Sequence, residues 1–148
     1  MKVVNRKAKR NFEILEKYEA GIVLTGPEVK SAKEGRIKLE DSYVRLREDG
    51  AYLVNCFIAP YAFASQENYD PRRERKLLLH KKEILKLRTK IKGGRGLTVV
   101  PLSCYNKGAL VKLEIALARG RKKFEKKKVE KEREMKREIE REMKEYIR

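Results

Sequence analysis

Leu97-Thr-Val-Val-Pro-Leu-Ser-Cys-Tyr-Asn-Lys-Gly-Ala-Leu-Val-Lys-Leu-Glu-Ile-Ala-Leu-Ala-Arg119 is the stretch that decides the fold. Leu97–Tyr105 and Ala109–Arg119 read as two strands around the turn Asn106-Lys107-Gly108. In the second strand Val111, Leu113, Ile115 and Leu117 share one face. Lys112, Glu114 and Arg119 face away or lie at the edge. Pro101 has no N–H to give a ladder, so it predicts a bulge or an edge position.

Working back along the chain, a second hairpin appears. Ser42–Arg47 alternates, with Val44 and Leu46 on one face and Tyr43, Arg45 and Arg47 on the other. Asp49-Gly50 is a tight-turn signal and Ala51–Ile58 the return strand. Residues 12–24 are rich in β-branched and aromatic side chains, and Gly21 predicts a bulge or bend there. The pattern then becomes helical. Thr25 and Glu28 fit a capping box, Leu24 and Val29 a hydrophobic staple, and Gly35 a stop for a helix over 26–33. Pro27 is compatible with a first helical turn. Tyr69-Asp70-Pro71 marks a turn. A further helix starts after His80, with Glu83 at N3 and a Leu79–Ile84 staple, and ends near Gly93-Gly94. These elements predict a mainly β protein: an OB-fold-like antiparallel β-barrel with short helices over residues 1–120, carrying a basic N-terminal arm.

Residues 121–148 differ in kind. They contain no Gly or Pro, and most are charged. Met135, Ile139, Met143 and Ile147 recur every four residues, and Glu132–Lys136 and Glu140–Lys144 form supportive i,i+4 pairs. The apolar stripe is thin, which predicts a tail that is frayed or disordered when free and helical when docked.

Charge narrows the class of partner. The chain has 148 residues with 39 Lys+Arg against 22 Asp+Glu, a net charge of +17. Both parts are basic, and residues 1–120 carry more of the net charge than the tail. Such a surplus favours a polyanion, because Lys and Arg displace the counterions condensed on phosphates. No apolar run approaches the roughly 20 residues of a membrane span. The first ten residues carry charges with no apolar segment behind them, so no secretory signal is expected and a cytoplasmic location is.

Catalytic chemistry is sparse in the sequence. Cys56 and Cys104 sit in strand-like apolar runs and read as small buried hydrophobes. His80, the single histidine, lies at ligand spacing from neither and reads as a helix cap, so no metal or cofactor is expected. Glu40-Asp41 reads as a turn rather than a working carboxylate pair. Gly93-Gly94-Arg95-Gly96 lacks the lysine and hydroxyl of a phosphate-binding P-loop. No enzyme is expected.

Features suited to RNA are more frequent. Phe12, Tyr18, Tyr43, Tyr52, Tyr69 and Tyr105 lie among basic side chains, as stacking surfaces for unpaired bases do. Arg72, Arg73, Arg75 and Lys76 form a dense cationic cluster followed by Leu77–Leu79, a candidate phosphate contact. Lys7, Lys9 and Arg10 add candidates in the N-terminal arm. These features suit a ribosomal or ribosome-assembly protein as well as any other RNA binder.

Seven segments in order make the reading specific. They are Asn5–Ala8, Tyr18–Ile22, Gly26-Pro27-Glu28-Val29-Lys30-Ser31, Asp41–Tyr43, Asp70–His80, Gly96–Leu102 and Ala118–Lys122. Together they resemble the SsrA-binding protein (SmpB) family over nearly the whole chain. The resemblance implies an OB-fold partner of transfer-messenger RNA in trans-translation. It implies binding to the tRNA-like domain, delivery to stalled ribosomes, and a tail that enters the decoding centre and the empty mRNA channel as a helix. A monomer in the RNA complex is expected. By resemblance, RNA contacts fall on Asn5, Glu19 and Leu78, beside Arg6, Lys7, Arg72, Arg73, Arg75 and Lys76. Ribosome contacts fall on Gly120, Lys122, Lys123, Phe124, Lys126, Lys127 and Met143. Glu125-Lys126-Lys127 departs from the family's usual Asp-Lys-Arg, and an arginine fork is lost. Pro27 replaces a residue that is usually bulkier or hydroxylated.

Overall fold

The computed structural model describes residues 1–64, 67–121 and 123–147, with the side chains of residues 123–125 and 147 outside that description. In chain order the elements are β1 (Lys2–Val4), α1 (Arg6–Asn11), β2 (Phe12–Ile22), α2 (Gly26–Lys33), β3 (Ile37–Lys38), β4 (Tyr43–Arg47) and β5 (Gly50–Val54). There follow β6 (Phe57–Ile58), β7 (Arg75–Leu78), α3 (Lys81–Gly93), β8 (Leu97–Lys107), β9 (Leu110–Gly120) and α4 (Lys123–Ile147).

Six strands close into the expected antiparallel barrel. Their order is β8-β4-β5-β7-β2-β9, and β9 pairs back onto β8. β1 adds to β8 beyond the point where β4 leaves it: Val99 faces Val44, while Ser103–Tyr105 face Val4–Lys2. β3 and β6 form a separate two-stranded ribbon.

The hairpin at 97–119 anchors the ring. Val111, Leu113, Ile115 and Leu117 all point into the core. The turn is shorter than the sequence suggested, because Lys107 pairs with Leu110 and leaves only Gly108-Ala109 at the tip. Gly108 supplies the positive φ, +61°, that so tight a turn requires. The register shifts between Pro101 and Ser103, so the proline lies at a bulge as expected. Gly21 does not. It stays in register between Leu78 and Lys112, and the bulge in β2 falls between Ile14 and Glu16. Glycine is needed at 21 for another reason: a Cβ there would stand 3.3 Å from the Cβ of Leu78.

A second, smaller cluster lies outside the barrel. Ala8 of α1 packs on Val100, Leu102, Ala116 and Ala118, with Phe12 and Ile14 at its margin. The two alanines of β9 let the helix approach the strand closely. The residues expected to form a basic arm are built into the body as β1 and α1. Asn5 caps that helix, its side chain accepting from the Ala8 N–H at 3.1 Å.

α2 spans Gly26–Lys33, as its capping box predicts. Thr25 N–H donates to Glu28 Oε1 at 3.0 Å, Glu28 N–H donates to Thr25 Oγ1 at 3.3 Å, and Gly35 beyond the end has φ +78°. Glu28 also does what the sequence did not announce. It is buried, and its Oε2 accepts from Arg75 Nε at 2.8 Å and Nη2 at 2.6 Å. Arg73 donates to its Oε1, and the Tyr69 hydroxyl donates to its Oε2 at 3.2 Å. α3 begins after His80, whose N–H donates to Glu83 Oε1 at 3.2 Å. Of the two states expected for the tail, the structure holds the helical one. α4 runs for 25 residues and meets α1 through Arg10 Nε and Glu130 Oε1 at 3.2 Å. No helix among the described residues is long and apolar enough to cross a membrane.

The Glu28 site makes a pH prediction. Burial alone would raise its pKa, yet the hydrogen bonds from Arg73, the Thr25 backbone and Arg75 outweigh it and hold the carboxyl at about 2, against an ordinary 4.5. Because the folded value is the lower, this stabilisation is present above about pH 4.5 and is lost as pH falls toward 2. Glu28→Ala is expected to cost about 3–5 kcal/mol in urea unfolding at neutral pH, since it leaves Arg75 buried and unpaired. The variant should also show a shallower acid-unfolding limb than the parent.

Candidate nucleic-acid interface

β7 alternates strictly. Arg75 and Leu77 point inward, while Lys76 and Leu78 point out. Leu78 is 57% exposed, unusual for a leucine on a strand of a packed barrel. Its neighbours across the sheet are fixed by register. Gly21 of β2 faces both Leu78 and Lys112 of β9, and Lys112 faces Tyr105 of β8. Glu19, two residues before Gly21, shares that outer face and is exposed. The Tyr105 hydroxyl donates to its Oε2 at 2.5 Å, and Lys107 Nζ stands 3.6 Å from its Oε1. The bond from Tyr105 is the main cause holding the Glu19 carboxyl below its ordinary pKa.

A cationic and aromatic row continues on the other side of β7. Lys76 faces Tyr52, which faces Arg45. The Arg47 guanidinium lies 4.8 Å from the centre of the Tyr52 ring, and Arg45 lies 5.9 Å from that of Tyr43. Leu78, Glu19 and Lys76, expected from the sequence, thus share one continuous outer surface. Tyr105, Lys107, Lys112 and Arg47 belong to it too. The alternation of the hairpin at 97–119 carried the signal for Lys112, whereas the bond from Tyr105 to Glu19 spans 86 residues and left no local trace.

The cationic cluster at 72–76 divides. Arg72 and Lys76 are exposed. Arg72 Nη1 donates to Asn55 Oδ1 at 3.1 Å and lies 5.6 Å from the Phe57 ring centre. Arg75, expected to meet phosphate, is wholly buried. Besides Glu28, its guanidinium donates to the carbonyls of Cys56 at 2.6 Å and Pro71 at 3.0 Å, so it has no side left for RNA. Arg73 is half-buried and spent on Glu28 and the Glu74 carbonyl. Charge-assisted bonds to a buried carboxylate hold both inward.

Asn5 is also turned inward. It is buried, with its amide donating to the carbonyls of Leu39 at 3.2 Å and Pro101 at 2.9 Å. Its role here is to fix α1, which sets out Arg6 and Lys7. Arg6 is exposed, and Lys7 Nζ pairs with Asp41 at 2.7 Å. Asn5, Lys7, Gly120 and Lys126 line one cleft of 410 Å³, whose lining includes neither Glu19 nor Leu78.

Gly120 ends β9 opposite Phe12, and the Arg121 N–H donates to the Asn11 carbonyl at 2.8 Å. The tail therefore leaves the barrel beside α1. A wider cleft of 1380 Å³ separates the two helices, walled by Arg6 and Arg10 on one side and by Arg133, Glu134, Arg137 and Arg141 on the other. Met135, Ile139 and Met143 lie on the opposite side of α4 and are more than half exposed. Lys127 is exposed. Lys122 and the side chains of Lys123 and Phe124 lie outside the described residues.

Both thiols are buried, and burial pushes each up to about 12, where a nucleophilic thiolate is not available near neutral pH. Among the described residues no group of His, Cys, Asp and Glu could hold a metal ion. Asp41 takes φ +62° in the turn expected at Glu40-Asp41.

Comparison with known proteins shows the family. The family model described as SmpB protein matches residues 2–145. The chain belongs to the SmpB protein family. An SsrA-binding protein of Sulfurihydrogenibium sp. (strain YO3AOP1) is 58% identical over 123 residues, 83% of this chain and 80% of that protein. One from Rubrobacter xylanophilus is 50% identical over 144 residues, 97% of this chain and 95% of that protein, so its likeness extends through α4. A solved structure described as "tmRNA-SmpB: a journey to the center of the bacterial ribosome" superposes with a TM-score of 0.68 at 47% identity, covering 82% of this chain and 85% of that one. SmpB is an RNA-binding family, and the outward face around Leu78 is where this member's fold offers apolar, carboxylate and cationic groups together.

The division of the arginines is testable. Arg72→Ala is expected to leave thermal stability unchanged and to lower the slope of log affinity against log salt for RNA by about 1. Arg75→Ala should instead unfold the barrel at lower temperature, read by circular dichroism.

Proposed function

We propose that this protein binds the tRNA-like domain of transfer-messenger RNA and delivers it to stalled ribosomes for trans-translation. Membership of the SmpB family over residues 2–145 carries the reading. The outer surface of β7, β2, β9 and β8 holds the RNA through Leu78, Glu19 and Lys76, and Arg72, in the turn before β7, adds a phosphate contact. Leu78 packs on a base or ribose. Glu19 accepts hydrogen bonds from RNA donors, which a lysine cannot imitate. Arg6 and Lys7 meet phosphate, and Asn5 serves them indirectly by capping α1.

The tail has a separate task. α4 enters the decoding centre and the empty mRNA channel, with Gly120 at the exit from the barrel and Lys122, Lys123, Phe124, Lys126 and Lys127 on the ribosomal side. Met143 belongs to the exposed apolar stripe that remains for later contacts. The protein works in the cytoplasm, as a monomer in the RNA complex, and catalyses no reaction. Its buried thiols supply no nucleophile, and its surplus of cations suits a polyanionic partner.

RNA co-purifying with the full chain tests the whole. Transfer-messenger RNA is expected to dominate the sequenced pool, and ribosomal RNA alone would overturn the proposal. Glu19→Lys should weaken binding to the tRNA-like domain at matched salt with the barrel still folded. Truncation after Gly120 should keep RNA binding within about threefold, a difference of less than 1 kcal/mol, and abolish peptide tagging in a reconstituted rescue assay.

A further inference from the structure

Glu19 stands in an electrostatically awkward place. Its cross-strand partner on β9 is Glu114, and like charges opposite one another in an antiparallel pair repel. An exposed glutamate so placed would be driven away from its neighbour and would sample many rotamers. Tyr105 prevents this. It sits on β8, one strand further round the barrel, in register with Lys112. Its side chain crosses over β9 on the diagonal and donates to Glu19 Oε2 at 2.5 Å, a short bond of the charge-assisted kind.

The two carboxylate oxygens are thereby made unequal. Oε2 is taken by the phenol. Oε1 has Lys107 Nζ at 3.6 Å, close enough for attraction and too long for a strong hydrogen bond. Burial, and after it the bond to Glu19, push the phenol up to about 12, so the hydroxyl keeps its proton across the working range.

We infer that Tyr105 is a positioning residue for RNA recognition: it fixes the Glu19 carboxylate so that Oε1 is presented to donor groups of the RNA. The inference rests on the reading that Glu19 contacts RNA. The donors that fit are a ribose hydroxyl or the N–H edge of a guanine, both able to reach one preset oxygen. Without the phenol, the same contact must also immobilise a free side chain, which weakens binding by about 3- to 10-fold.

A double-mutant cycle on the full-length protein with the isolated tRNA-like-domain RNA tests this. Tyr105→Phe keeps the ring and removes only the hydroxyl, and its melting temperature is expected to match the parent. It should weaken binding by about 3- to 10-fold with no change in the salt slope, because no charge is lost. In a Glu19→Ala background, Tyr105→Phe should have no further effect. If Glu19→Ala binds like the parent, the reading of Glu19 fails and the inference falls with it. If Glu19→Ala is weak but Tyr105→Phe binds like the parent, Glu19 contacts RNA and the positioning role alone is overturned. Equal losses from Tyr105→Phe in both backgrounds also overturn it, because the tyrosine would then act independently of Glu19.

Discussion

Arg75 is the constraint on which the working surface depends. A charged side chain enters the barrel only if its partner enters too, and Glu28 does so from the helix that follows β2. The pair fixes which residues of β7 point inward. With Arg75 and Leu77 inside, Lys76 and Leu78 must be outside, and a slip of one residue would exchange them. An apolar side chain on the outer face is thus set in place by an ion pair within. The same bonds draw Tyr69 and Pro71 toward the barrel and hold the strand's entrance.

The positive charge of the chain follows from this economy. Some cations are structural: Arg75 and Arg73 belong to Glu28, and Lys90 to Glu16. Others lie on two separate surfaces. One runs across β4, β5 and β7 to β9, where aromatic rings and cations alternate. The other lines the clefts between the barrel, α1 and α4. Net charge therefore describes solubility and attraction to phosphate, while the carboxylates decide which cations are free to act.

Much of the fold was legible because it is written in local periodicity. The hairpin at 97–119, the capping box at Thr25 and the glutamate after His80 all lie within a few residues of what they determine. What was missed depends on distance. Arg75 finds Glu28 across 47 residues, so the four cations at 72, 73, 75 and 76 look alike until one is seen to be inside. Asn5 likewise has partners 34 and 96 residues away. Gly21 was read as a bend, but its cause is a leucine on a neighbouring strand. Helix α1 escaped notice because six residues carry too little periodicity, and its mates, Ala116 and Ala118, sit on the side of β9 opposite the main core. At the candidate site, Glu19 and Leu78 came from resemblance. Their geometry belongs to cross-strand register, which sequence patterns fix only pair by pair.

The tail gains a mechanical property from being a single helix. At 1.5 Å per residue, the 25 residues of α4 form an arm about 37 Å long. Its root lies next to the bond between Arg121 and Asn11, at the end of β9. A swing of about 10° at that root carries the tip through roughly 6 Å, more than one helical turn. Small adjustments where the barrel meets the arm are thereby amplified at Met143 and beyond. The strand from which the arm departs is the one that faces Glu19.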